Sequence, residues 1–216
     1  MTNMRIACIS DLHGKLPDVP DADLVLLAGD YCPVRRQEQR WWFRDEFKPW
    51  LERLAARAPV VGVAGNHDWY FVDSPDWISL PWTYLQDSGA EVLSLKIWGS
   101  PWQLRFFDWA FNLDEADLLK KWSLIPHDTD VLLLHGPPFG LGDRTHQAGR
   151  PLGSTSLRSW VDEHQPWLVV CGHIHGGYGI HQAGRATVIN AALMDESYEP
   201  VNLVQVVELK LPIGRP

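Results

Sequence analysis

Short runs of consecutive apolar residues recur along the chain, and each stops abruptly at a polar or charged residue. Residues 5–10 (RIACIS) and 24–28 (LVLLA) are closed by Asp11 and by Gly29-Asp30; residues 60–64, 131–134 and 168–171 repeat the pattern. Runs this short and this rich in Val, Leu and Ile read as strands buried on both faces that deliver a loop at their carboxyl end. Residues 91–95, 96–99, 187–190 and 201–210 read as further strands.

Between the second and third runs the period changes. Trp42, Phe43, Phe47, Trp50, Leu51 and Leu54 fall at helical spacings and predict a helix over residues 36–57, which Pro49 should kink or divide. Further helices are predicted over 74–86, 114–122 and 154–164, with Asp114 and Ser154 as N-caps. Residues 99–108 and 136–151, rich in Gly, Pro and aromatics, read as loops. Both follow predicted strands, the place where open α/β sheets bind ligands, so both are candidates for the rim of a site. Strands and helices alternate without a break in composition, which predicts one α/β domain over residues 1–216.

The length of 216 residues suits one large domain, and 45% hydrophobic with 21% charged residues marks a chain that folds. A formal charge of -8 leaves no basic stripe for nucleic acid, so stable nucleic-acid binding is not expected. Residues 1–5 carry no secretory pattern, and no apolar run approaches the roughly 20 residues of a membrane span. The three cysteines form no CxxC pair, which points to a reducing compartment and a cytoplasmic location. Cys8 and Cys171 lie inside strand runs and should be buried and inert, and Cys32 reads as packing. Twelve tryptophans without a fixed period read as core and under-loop packing rather than as a platform for bases.

Five polar blocks end these apolar runs: Asp11-Leu12-His13, Gly29-Asp30, Gly65-Asn66-His67-Asp68, His135-Gly136 and Gly172-His173-Ile174-His175. Any one alone is an ordinary strand end or a satisfied histidine; together they hold the donors of a two-metal centre. Asp11 and His13, separated by one residue at an extended strand end, point the same way and can reach one cation. The two oxygens of Asp30 can bridge two cations, and Asn66 offers a neutral amide oxygen. His135, His173 and His175 complete a mixed imidazole and oxygen shell suited to manganese, iron or zinc rather than to magnesium or calcium alone.

In these blocks the chain resembles the calcineurin-like metallophosphoesterase family, whose order is DxH, GD, GNH[DE], a separate H and GHxH. The resemblance runs from residue 11 to 175. It is similar in particular to a small single-domain branch marked by GSPW (residues 99–102), HGPP (135–138), GHIHxGYG (172–179) and INA (189–191). What the resemblance implies is a four-layer αββα sandwich of two packed mixed sheets flanked by helices. It implies Asp11, His13, Asp30 and His175 as ligands of one metal, and Asp30, Asn66, His135 and His173 as ligands of the other. The cofactor implied is two divalent ions, manganese first, with Fe, Zn, Co or Ni served by the same set.

The implied chemistry is hydrolysis of a phosphoester by a hydroxide bridging the metals, with His67 as the acid that protonates the leaving oxygen. The expected activity is a phosphodiesterase for small or nucleotide, including cyclic nucleotide, diesters. The alternatives are a phosphomonoesterase or a nucleotide-binding regulatory protein with weak turnover. The run Gly29-Asp30-Tyr31-Cys32-Pro33-Val34 departs from the GDxxDR of the protein phosphatases, which argues against a phosphoprotein substrate. Asp68 or a backbone carbonyl is the candidate orienting partner of His67. Arg35, Arg36, Arg144 and Arg150 are loop candidates for holding phosphate, His146 is a candidate pocket residue, and the substrate-binding residues stay open.

Overall fold

Alternate residues of each central strand serve different cores, as the two-residue period of a strand requires. In β1 (Thr2–Ile9) Ile6 and Cys8 pack on one face and Ala7 and Ile9 on the other; in β2 (Leu24–Leu27) Leu24 and Leu26 part from Val25 and Leu27 in the same way. The computed structural model describes residues 2–73, 79–145 and 150–211, and it arranges these strands in two large sheets.

The first sheet adds β3 (Val60–Gly62), β4 (Thr83–Tyr84) and β13 (Gln205–Leu211) in the order β13-β1-β2-β3-β4, parallel except for β13 against β1. The second comprises β5 (Ser88–Val92), β6 (Leu95–Ser100), β9 (Val131–Leu134), β10 (Leu168–Cys171), β11 (Gly179–Ala183) and β12 (Ala186–Asn190), ordered β11-β12-β10-β9-β6-β5. Its four inner strands are parallel and its two edge strands antiparallel. A short parallel ribbon joins β7 (Gln103–Leu104) to β8 (Asn112–Leu113).

Three apolar layers separate the elements. Ile6, Leu24, Leu26, Val61, Ile97, Leu133 and Val170 fill the space between the sheets. Outside the first sheet lie α1 (Arg36–Trp42), a π-helical turn (Phe43–Phe47), α2 (Lys48–Ala55) and the short α3 (Tyr70–Asp73), with Trp42, Phe47, Trp50 and Leu51 packed on it. Outside the second lie α4 (Glu115–Trp122) and α5 (Thr155–His164), with Leu118, Trp122, Leu157 and Trp160. This is the expected αββα sandwich. Cys8, Cys32 and Cys171 are buried, free thiols, and burial pushes all three thiol pKa values up. Among the described residues no helix is long and apolar enough to cross a membrane.

Several local expectations change. The predicted helix over 36–57 is broken by the π-helical turn, where the Lys48 N–H reaches back to Phe43 O; this precedes Pro49, which has no N–H to give, and the helix ends at Ala55. The predicted helix over 74–86 is replaced over its last residues by β4, because Pro81 cannot donate to a helix and the stretch Trp82-Thr83-Tyr84 suits an edge strand; residues 74–78 lie outside the described residues. The two strands expected to meet near residue 95 are a hairpin turned at Leu93 and Ser94, both in left-handed backbone (φ 51° and 64°), a turn conformation that lacks its usual Gly or Asn. The last strand starts at Gln205 rather than at 201. Residues 99–108 are only in part a loop, since Gly99 and Ser100 end β6 and Gln103 and Leu104 form β7. Ser154 caps α5 by accepting from Leu157 N at 3.1 Å, whereas the Asp114 carboxylate turns to Arg105 Nε at 2.9 Å.

Candidate metal centre

Every block follows the carboxyl end of a parallel strand: Asp11 and His13 after β1, Asp30 after β2, Asn66 after β3, His135 after β9, His173 and His175 after β10. The two sheets are joined at this edge, where Ser10 N donates to Ala191 O and Leu193 N to Ser10 O, both at 2.9 Å. Asp11 and His13 do not converge by extended alternation. Both sit in left-handed backbone (φ 55° and 42°), as do Asp30 (56°) and His173 (65°), so the chain coils tightly at each donor instead of running on. Gly29 (φ +94°) makes this possible, because a Cβ there would lie 2.7 Å from the Ala64 carbonyl.

The donors meet around two carboxylates. His175 Nε2 lies 3.3 Å from Asp11 Oδ1 and 3.3 Å from His13 Nε2, and His13 Nε2 lies 3.7 Å from Asp30 Oδ2. On the other side of Asp30, His135 Nε2 lies 3.5 Å from Asp30 Oδ1 and 2.9 Å from Asn66 Oδ1. His173 stands beside His135, ring centroids 5.1 Å apart, while its backbone N–H donates to Asp11. All seven predicted ligands thus fall in one cluster, with Asp30 between its halves.

The ring nitrogens turned away from the cluster are committed. His135 Nδ1 is 2.8 Å from Ala28 O and His175 Nδ1 is 2.7 Å from Asp195 O, so each Nδ1–H donates outward and each Nε2, once it has lost its proton, presents a lone pair inward. Facing those lone pairs are carboxylate and amide oxygens, acceptors all. His13 Nδ1 is buried with no hydrogen-bond partner. A divalent cation satisfies such a set of inward lone pairs, and the donors present fit two. Protons compete for the same places. Burial lowers the His135 pKa, but the Asp30 carboxylate outweighs it and holds the ring at about 9; Asp11 likewise holds His175 at about 8. Burial takes His13 down to about 4 and His173 to about 3.

Asp68 does not orient His67. Its carboxylate accepts from the backbone N–H groups of Asp30, Gly65 and Cys32, and so ties the second block to the third. Burial and the neighbouring Asp30 push its pKa up to about 7 against the pull of those N–H bonds. His67 is fixed through its own backbone, N–H to Asp30 Oδ1 at 2.7 Å and C=O accepting from Gln39 Nε2 at 2.6 Å, while its Nδ1 is buried without a partner. Burial lowers its pKa.

Three residues at the site carry no signal in the blocks. Trp109, one residue beyond the expected rim loop, packs on His67 with centroids 4.0 Å apart. Tyr198 stands edge-on to His13 at 4.8 Å and to His175 at 5.2 Å. Asn190, inside the INA element, donates to the carbonyls of Gly172 and Ile174 and so braces the loop of the last block. Of the arginine candidates, Arg36 lies over Trp69 at 4.4 Å, Arg35 pairs with Glu38, and Arg144 and Arg150 are exposed. His146 lies outside the described residues.

Two face-to-face mixed sheets with Asp, Asn and His donors gathered at one edge define the class: a metal-dependent phosphoesterase fold. The solved structure of TT1561 of Thermus thermophilus shares that fold, with a TM-score of 0.62 at 18% identity over 88% of this chain and 90% of the other. The human metallophosphoesterase domain-containing protein 1 is 33% identical over 96% of this chain and 72% of its own length. The UPF0046 protein C25E10.12 of Caenorhabditis elegans is 30% identical over 98% of this chain and 83% of its own length. The chain belongs to the calcineurin-like phosphoesterase family, whose sequence model matches residues 4–177.

Proposed function

We propose that the protein is a phosphodiesterase acting on small or nucleotide diesters, cyclic nucleotides included, with two divalent cations of which manganese is the first choice. The observation that carries this reading is the gathering of seven donors around Asp30 with His67 alongside. Asp11, His13, Asp30 and His175 would hold one cation, and Asp30, Asn66, His135 and His173 the other. Bound there, the cations supply Lewis acidity toward the phosphate oxygens and a nucleophile at neutral pH.

The chain's own residues do the rest. Asp30 and Gln39 fix the His67 backbone, which sets where its ring can reach. Burial lowers the His67 pKa, and an arriving phosphate anion favours its protonated form, ready to give the proton to the departing oxygen. Tyr198, 45% exposed, and the half-buried Trp109 border the cluster. Such an open rim supports a diester, which carries a substituent on each side of phosphorus. The absent second Asp and Arg of GDxxDR support a small substrate over a phosphoprotein. The acidic balance supports no stable nucleic-acid or membrane partner, and three free cysteines support a cytoplasmic setting.

The test compares a bis-aryl with a mono-aryl phosphate under Mn, Co, Ni, Zn and Fe. Faster turnover of the diester supports the reading, and a strong monoester preference overturns it. For His67, His67→Ala should slow esters of poorly leaving alcohols more than those of a good phenolate leaving group; equal loss on both removes the acid role.

A further inference from the structure

Beside His67, and joined to it through Trp109, the molecule has a shallow, open surface cavity of about 410 Å³ lined by Arg36, Trp69, Phe107, Asp108 and Trp109. Its size falls within the roughly 300–1,000 Å³ of small-molecule sites. Trp109 is shared between this cavity and the His67 ring. Phe107 is 75% exposed in left-handed backbone (φ 51°), its ring edge-on to that of Phe106 with centroids 4.4 Å apart, so a large apolar ring is held at the cavity at a cost in both hydration and strain. Its loop is built: Asn112 Nδ2 donates to the carbonyls of Phe106 and Phe107 at 3.2 and 3.1 Å, and Gln103 Nε2 to that of Ala110 at 2.9 Å.

Charge in the cavity is arranged unequally. The Arg36 guanidinium lies over the Trp69 ring and pairs with Asp73, so its charge is answered. Asp108 is exposed and, among the described residues, makes no ion pair. The cavity therefore presents two indole rings, Trp69 already faced by Arg36 and Trp109 by His67, together with a phenyl ring, and a carboxylate that accepts from N–H or O–H and repels an anion.

We propose that this cavity seats the departing alcohol, and that the alcohol carries a flat aromatic ring and no anionic group. The inference rests on the phosphoesterase reading with His67 as the acid. The oxygen that receives the His67 proton belongs to the leaving group, and Trp109, packed on the His67 ring with centroids 4.0 Å apart, carries the cavity up to that point. Stacking on Trp69, Trp109 and Phe107 then selects a planar ring over an alkyl chain, and Asp108 selects against a second phosphate or carboxylate on that ring.

The experiment measures binding of phenylphosphonate, 4-carboxyphenylphosphonate and methylphosphonate to the manganese-loaded protein by calorimetry. One stacked ring is worth about 5- to 150-fold in affinity, so phenylphosphonate should bind at least about fivefold tighter than methylphosphonate. In Trp69→Ala and Phe107→Ala that ratio should fall to within about twofold, and Asp108→Asn should selectively tighten the carboxyphenyl compound. Phe107, being exposed, keeps the test available if Trp69→Ala does not fold. A ratio near one in the wild type, or a ratio that survives both alanine variants, overturns the proposal. Methylphosphonate binding with no aromatic preference removes this proposal alone. Failure of all three probes to bind the manganese-loaded protein removes the phosphoesterase reading along with it.

Discussion

The carboxylate of Asp68 accepts a hydrogen bond from the backbone N–H of Asp30 at 2.8 Å, and the same side chain takes those of Gly65 and Cys32 at 2.8 and 2.9 Å. One buried acid thereby sets the relative position of two blocks 38 residues apart. Asp68→Ala leaves three N–H groups without that acceptor and should destabilise the protein by about 3 kcal/mol, measured by urea unfolding. Metal content should fall with it, because Asp30 loses its backbone anchor.

Asp30 touches both halves of the cluster, through His13 and through His135. Asp30→Asn should reduce metal content from near two equivalents per chain to one or fewer, read by elemental analysis of the purified protein. Weakened binding of both equivalents assigns Asp30 as shared; loss of one with the other held as tightly as in the wild type contradicts it.

Cation binding should stabilise the fold, since an assembled cluster exists only in the folded chain. Manganese at about a hundredfold over its dissociation constant should add about 2.7 kcal/mol, seen as a rise in Tm that a chelator reverses. No shift with any of the five candidate metals would remove the metal centre.

A Cβ on Gly65 would sit 2.5 Å from Asp30 N and 2.6 Å from His135 Cε1. Gly65→Ala must therefore push Asp30 and His135 aside. Far-UV circular dichroism should stay close to native while bound metal drops; an alanine variant with full metal content contradicts the close approach.

Glu115 takes hydrogen bonds from Ser154 Oγ at 2.9 Å and Ser156 N at 2.7 Å, joining the starts of α4 and α5. Partial burial raises its pKa, but the bonds from Ser156 and Ser154 outweigh this and hold it below the usual 4.5. The stabilisation is full above pH 4.5 and disappears as the pH falls through the lower folded-state value. Glu115→Gln should cost about 1 kcal/mol at neutral pH and progressively less in acid, followed by thermal unfolding across that range.

What could be read from the sequence was whatever depends on consecutive residues. Leu24–Leu27 and Val131–Leu134 are apolar throughout because both faces of each strand are covered, and that is visible without any partner. The ligand blocks were legible because each ends such a run. The edges were not: Thr83–Tyr84 owes its strand to pairing with Val61 and Gly62, and the hairpin at Leu93-Ser94 forms without the residues that favour its turn. Trp109 and Tyr198 reach the site from loops whose course depends on distant contacts. Asp114 does stand at the N-cap of α4, as its sequence position indicates, yet Arg105, nine residues earlier, takes the carboxylate that would have capped it.

His13 and His175 meet although 162 positions separate them, and Ser10 latches the two sheets at the same edge. Contacts over such separations pay a large chain-closure entropy and form late. If the donor cluster closes only as the two sheets dock, cations stabilise the native state more than the transition state that precedes it. They should leave the refolding rate nearly unchanged and slow unfolding instead. The lifetime of the folded chain then follows the supply of metal around it, and a cell short of that metal would turn the protein over faster.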